Sequence, residues 1–278
     1  MNEEVKPAEG KGAACCAPTP DISSPAVGAQ HAAPSPRPHE TFRLWRAWPW
    51  LSWTTALLAA YGLKLAYSRA SAEDLAWILV PTARAVGWLR GETLALNPGA
   101  GWMPPDGAYV IAPACAGVNF MILALIVSVL GFSHRFRAPL ARLGWWAASA
   151  AGAYGVTLAV NTLRILAAVA LYRRGPVAGL SPEQLHRLLG TVIYLGALLG
   201  LFAGLDRLTA RRGQASWLAA GILVVGLYLG MTLAVPLLNG HPGGRYAEHA
   251  MMVSAVAMLF LAGGFAVAGW RRNRRETI

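Results

Sequence analysis

Residues 113–132 read PACAGVNFMILALIVSVLGF. After the opening proline this stretch has no charged side chain and is apolar around the whole circumference of a helix. About 20 such residues at 1.5 Å each cover the roughly 30 Å hydrocarbon layer of a bilayer. Working outward, residues 144–172 (GWWAASAAGAYGVTLAVNTLRILAAVALY) form a second, longer run with one charge, Arg164. Further runs cover 48–67, 186–205, 215–238 and 249–270. The pattern predicts an all-α, polytopic integral membrane bundle of about six transmembrane helices.

Composition agrees. Of 278 residues, 55% are apolar and 13% charged, whereas soluble domains carry roughly 25% charged residues. Mean hydropathy is +0.43. The net charge of +11 could suggest nucleic acid, but 21 of the 24 basic residues are Arg, clustered between apolar runs. That is how a multi-pass membrane protein distributes charge, so a nucleic-acid-binding globule is excluded. Three cysteines, two of them the adjacent Cys15 and Cys16, cannot build a disulfide framework.

Residues 1–44, rich in Ala, Pro, Ser and Gly, have no apolar period and are expected to be a disordered cytoplasmic tail without a cleavable signal peptide. Segment 73–90 holds Pro81 mid-way and Arg84 one turn later, with charges at both ends. An interfacial or re-entrant amphipathic helix suits it better than a crossing. Gly, Pro and Asn signals across 91–112 predict an extended, hairpin-like loop. With 73–90 on one side, the Arg clusters at 43–46, 135–142, 207–212 and 271–275 all fall in the cytoplasm. Arg173 and Arg174 run against that count. The tryptophans near span ends (Trp48, Trp50, Trp53, Trp145, Trp146, Trp217, Trp270) read as an interfacial belt and nothing more.

Three polar residues then stand out at one membrane depth. Arg164 lies about 28 Å along its helix from Trp145, with Asn161 sharing its face at i−3. It reads either as a snorkelling helix cap or as a fixed cation facing a polar pocket. Pro113 fits a first helical position, which puts Cys115 in the first turn of the 115–132 span. There the helix dipole lowers a thiol's pKa, and Gly117 permits close approach of another segment. A lone membrane cysteine is otherwise an apolar filler. Ser181-Pro182-Glu183-Gln184 has capping-box spacing and opens the next helix, placing His186 in its early turns with Gly190 and Tyr194 roughly on its face. Imidazole can take a thiol proton and return it to a leaving amine near neutral pH. His241 and His249 are too loosely spaced for a metal site, so neither metal nor cofactor is expected.

Taken together, Pro113-Ala-Cys115-Ala-Gly117-Val-Asn119-Phe, Asn161-Thr-Leu-Arg164-Ile and His186-Arg-Leu-Leu-Gly190 resemble the exosortase/archaeosortase family, and the ACAGVNF form most resembles its exosortase K branch. The resemblance covers about residues 50–205. It implies a catalytic core at 45–205, followed at 206–278 by two additional transmembrane helices and a basic tail of underived role. It also implies a cysteine protease/transpeptidase of the bacterial inner membrane, with its site facing the extracytoplasmic side. Such an enzyme cleaves the C-terminal sorting signal, of MSEP or PEP type, of an exported partner protein. The implied roles are Cys115 as nucleophile, His186 as acid/base, Arg164 as electrostatic stabiliser, and Asn161 and Asn119 as oxyanion or positioning groups. Water and an amine remain equal candidates for the acceptor. The reading from another class is a non-enzymatic membrane protein, a small-solute permease or assembly scaffold with Arg164 as counter-ion; no duplicated halves with broken helices favour a permease.

Overall fold

A computed structural model describes residues 38–172, 181–209, 217–238 and 246–276. The chain divides after Phe42, and the bundle lies in the second unit, Arg43–Ile278. The helices are α1 (Pro38–Ser68), α2 (Ala76–Arg90), α3 (Val118–Phe132), α4 (Pro139–Tyr172), α5 (Pro182–Thr209), α6 (Trp217–Leu229), α7 (Val235–Leu238) and α8 (Tyr246–Glu276). A two-stranded antiparallel hairpin, β1 (Ala95–Asn97) and β2 (Gly101–Met103), separates α2 from α3.

Among the described residues, four segments are long and apolar enough to cross a membrane: Pro113–Arg135, Pro139–Tyr172, Glu183–Thr209 and Tyr246–Ala266. Gly221–Leu237 is a shorter apolar helix. The protein is therefore an all-α, multi-pass membrane protein, as its composition predicts. Of the six runs expected to cross, 48–67 lies within α1, and 215–238 corresponds to α6 and α7 joined by a π turn at Gly230–Ala234. Pro236 accounts for that turn: it has no N–H to donate and its ring crowds the carbonyl one turn earlier, so the helix widens just before it. One boundary differs from expectation. α1 begins at Pro38, inside the segment assigned to the tail, because Pro is well suited to a first helical turn.

α3 is apolar all round, and such a helix belongs inside a bundle. Phe120, Ile122, Val127, Val129 and Phe132 are fully buried, and α4, α5 and α6 surround them. α8 completes the bundle against α5 and α6, so the last helices share the core through Val224, Tyr228, Val253 and Val256.

α2, at 15 residues, is too short to span. It buries Ile78, Leu79, Thr82, Ala83, Val86 and Gly87 as one stripe while Arg84 and Trp88 face outward, and it packs on α4. The expected amphipathic helix is thus present. So is the hairpin, whose far end is fixed to α2. Tyr109 donates to Glu92, which is also paired with Arg90. Burial, reinforced by that hydrogen bond, pushes the Tyr109 phenol up to about 12, so it stays a donor throughout the neutral range.

The end of the bundle remote from Cys115 is marked by Arg135. Its Nη2 lies 2.6 Å from Asp206 Oδ1 and its Nη1 donates to Thr209 Oγ1 at 2.6 Å. This joins the α3–α4 connection to the end of α5, so two of the Arg-bearing segments lie at the same end, as the charge count requires. Trp145 exceeds the belt role assigned to it. Its Nε1 donates to the Ser128 carbonyl at 3.1 Å and its ring stacks on Phe136, tying α4 to α3.

Asp206→Ala leaves the mostly buried Arg135 without its counter-charge. A loss of about 1–3 kcal/mol is expected, read as a lower unfolding temperature in detergent with any activity at the opposite end retained per folded molecule.

Candidate active site

The polypeptide around Cys115 does not run directly into α3. Pro113–Cys115 form a single 3₁₀ turn, Gly117 adopts φ +76°, and α3 starts only at Val118. Cys115 therefore lies in a separate turn ahead of the helix rather than in its first turn, which corrects the sequence expectation. The cause is tertiary. A Cβ on residue 117 would come within 3.0 Å of Asn161 Cγ and 3.2 Å of Thr157 Cγ2. Glycine's left-handed backbone and missing side chain allow the turn to press against α4. The close approach foreseen for Gly117 occurs, against side chains of α4.

α4 meets that turn with Asn161, which is fully buried. Asn161 Nδ2 donates to the Cys115 carbonyl at 2.6 Å, and its Oδ1 accepts from Tyr194 Oη at 2.8 Å. Tyr194 Oη accepts from Arg164 Nη1 at 3.3 Å, and Arg164 Nη2 lies 2.8 Å from His186 Nε2. A continuous chain thus runs from the cysteine turn through α4 and α5 to the imidazole. Local sequence sets its spacing. Asn161 and Arg164 are three residues apart on one face of α4, and His186 and Tyr194 are eight apart on α5. The capping box that starts α5 forms as expected: Ser181 N donates to Gln184 Oε1 at 2.9 Å and Gln184 N to Ser181 Oγ at 3.2 Å.

Packing holds the chain in place. The Arg164 guanidinium lies 5.2 Å from the Tyr194 ring centroid, and Phe120 stacks on the Tyr194 ring with centroids 4.9 Å apart. A Cβ on Gly190 would reach within 3.0 Å of Arg164 Nε, so the bare backbone there makes room for the guanidinium. Cys115 is a half-buried free thiol. Both Cys115 and Arg164 lie within electrostatic reach of Tyr67 and of Tyr194. Because arginine only donates, His186 Nε2 is the acceptor and the proton of the neutral ring sits on Nδ1. His186 Nδ1 and Arg164 Nε are buried without a partner among the described residues.

The structure thus gathers Cys115, Asn161, Arg164 and His186. It places Asn119 elsewhere: this exposed residue accepts from Lys64 Nζ of α1 at 2.8 Å. Three contributors escaped the sequence reading. Tyr194 was placed on the right face but given no role. Tyr67, whose hydroxyl donates to the Pro113 carbonyl at 3.5 Å, and Lys64 gave no local signal beyond being polar residues near the end of an apolar run. No group of three metal-ligating side chains occurs among the described residues. His241, Arg173, Arg174, Arg211, Arg212, Cys15 and Cys16 lie outside the described residues.

The model of the transmembrane exosortase family matches residues 38–203, and the chain belongs to that family of membrane proteases and transpeptidases. The match spans α1 through most of α5, the segment that contributes every residue of the chain of contacts just described. Searches of curated proteins and of solved structures returned no match.

Gly117→Ala forces a side chain into a left-handed backbone and against Asn161. A loss of about 1–2 kcal/mol is expected, measured as a fall in the unfolding temperature in detergent; an unchanged value would show that the turn is free to move off α4.

Proposed function

We propose that the chain is a cysteine-type membrane protease/transpeptidase with Cys115 as nucleophile, His186 as acid/base, Arg164 as the electrostatic stabiliser and Asn161 as the positioning residue. Its substrate is an exported protein with a C-terminal sorting signal of MSEP or PEP type, cleaved at the extracytoplasmic face of the inner membrane. The observation that carries this reading is the unbroken link from the Cys115 turn through Asn161, Tyr194 and Arg164 to His186.

In this reading the steps follow one order. Arg164 Nη2 lies against His186 Nε2. Arg164 shifts toward the developing oxyanion, and its unpaired Nε supplies a further donor. This frees His186 Nε2 to take the thiol proton. The Cys115 sulfur bonds to the scissile carbonyl carbon, the C–N bond breaks, and His186 returns the proton to the departing amine. The resulting thioester is resolved by water to an acid or by an amine to a new amide, which regenerates the thiol. Asn161 holds the Cys115 carbonyl throughout, so the sulfur's carrier turn stays fixed while the guanidinium moves.

Co-expression with an exported reporter ending in such a signal, an apolar helix and an Arg cluster tests the assignment. Tail cleavage is expected to vanish in both Cys115→Ala and Cys115→Ser, and cleavage persisting in both would overturn the nucleophile. Arg164→Lys retains the charge but not the fork that reaches Tyr194 and His186 together. A drop of about 10²-fold or more in cleavage rate is expected, and full activity would reduce Arg164 to a helix-end anchor.

A further inference from the structure

The start of α5, on which the place of His186 depends, is held by a helix that contributes nothing to the chain of contacts from Cys115. The first N–H groups of a helix lack intrahelical partners, and the first turn frays unless they are satisfied. His186 lies two residues after Gln184, in the early turns of α5. Gln184 uses both ends of its carboxamide there. Its Oε1 accepts from Ser181 N at 2.9 Å, which closes the capping box, and its Nε2 donates to Glu248 Oε1 of α8 at 2.6 Å. A carboxamide engaged at both ends has one orientation, and a hydrogen bond to a carboxylate is roughly twice as strong as one between neutral groups.

Glu248 is itself set in place. It lies in the first turn of α8, where the helix dipole favours a carboxylate. Two residues earlier, Tyr246 Oη donates to the Leu233 carbonyl in the π turn at 2.9 Å, which fixes the start of α8 on the preceding helix. Arg187, a cation in the early turns of α5, is paired with Glu183, so Glu248 meets the amide of Gln184 rather than an arginine. His249 lies within electrostatic reach of Arg187, so the first turns of α5 and α8 face each other over more than one residue. The contacts thus run from Leu233 through Tyr246 and Glu248 to Gln184, about half a turn from the imidazole that meets Arg164. Packing alone would be served by the apolar contacts of Val253, Val256 and Ala257. A half-buried carboxylate aimed at the capping residue adds a fixed direction.

We propose that Glu248 is a positioning residue: through Gln184 it fixes the first turn of α5, and with it the reach of His186 toward Arg164 and the Cys115 turn. The inference rests on the reading of His186 as acid/base. It gives the last helix, which lies beyond the family match at 38–203, a part in the site. Because Glu248 acts through Gln184 and not on the substrate, its effect falls on kcat rather than KM.

Exchanging donor and acceptor tests this in the full-length protein, purified in maltoside micelles at a pH well above the carboxylate range, with the tailed reporter as substrate. Gln184→Glu keeps an oxygen to accept from Ser181 N but sets a second carboxylate against Glu248. Glu248→Ala removes the acceptor. Each is expected to lower kcat per folded molecule about ten-fold, the loss of one hydrogen bond to a charged group, with KM little changed. Combining Gln184→Glu with Glu248→Gln restores one donor and one acceptor, and most of kcat is expected to return. Wild-type kcat in both single variants, a loss confined to KM or to the unfolding temperature, or a double variant no better than Gln184→Glu alone each overturns the proposal. Hydrogen–deuterium exchange at the amides of 185–190 reads the tie without a substrate. It is expected to be several-fold faster in Gln184→Glu and near wild type in the double variant, and equal rates in all three proteins overturn the tie. Cleavage that persists in His186→Ala removes the acid/base role instead, so the two failures are distinguishable.

Discussion

The carbonyl of Cys115 takes its hydrogen bond from a side chain on another helix, and much of the site follows from that bond. A carbonyl left unpaired within a membrane bundle is costly, since no water is at hand to replace the lost partner. At Gly117 the backbone leaves the helical course, and Asn161 supplies the donor. Asn161 can do so only because its own oxygen is held by Tyr194, and Tyr194 stays in place because it also bonds Arg164 and stacks on Phe120. Satisfying one polar group in an apolar setting thus sets the positions of four side chains.

The cysteine turn leads into the most buried helix. α3 brings almost nothing but apolar contacts, so its register against α4 and α5 is set by packing, and the cysteine turn is carried into position by a rigid element. Both Gly117 and Gly190 lie where a side chain would collide with the network. At one the cysteine turn approaches α4, and at the other the Arg164 guanidinium approaches α5. The opposite end of the bundle is tied by an ion pair, Arg135 with Asp206. At the other end the hydrogen bonds run from the Cys115 carbonyl through Asn161, Tyr194 and Arg164 to His186.

Much of this was legible from local signals. The capping box ahead of His186, the i,i+3 pairing of Asn161 with Arg164 and the short amphipathic α2 depend on neighbours within two turns, and sequence spacing specifies such neighbours directly. Cys115 was misplaced by one structural step because Pro113 suits the start of a 3₁₀ turn as well as that of an α-helix. The deciding contact, Gly117 against Asn161 and Thr157, links residues some forty positions apart. Asn119 shows the same limit. The resemblance implies it as an oxyanion or positioning group, and it accepts from Lys64 on α1.

From the amino-acid sequence alone follow the membrane-spanning helices, since twenty apolar residues have one favourable solvent, and the pairing of residues on a shared helix face, since 3.6 residues per turn is a property of the backbone. Only the tertiary structure decides which face meets which. A hydrogen bond requires its atoms within about 3 Å, and whether Tyr194 finds Asn161, or Lys64 finds Asn119, depends on the rotation and depth at which whole helices pack. Those are set by the summed contacts of many apolar side chains, none of which carries the information singly.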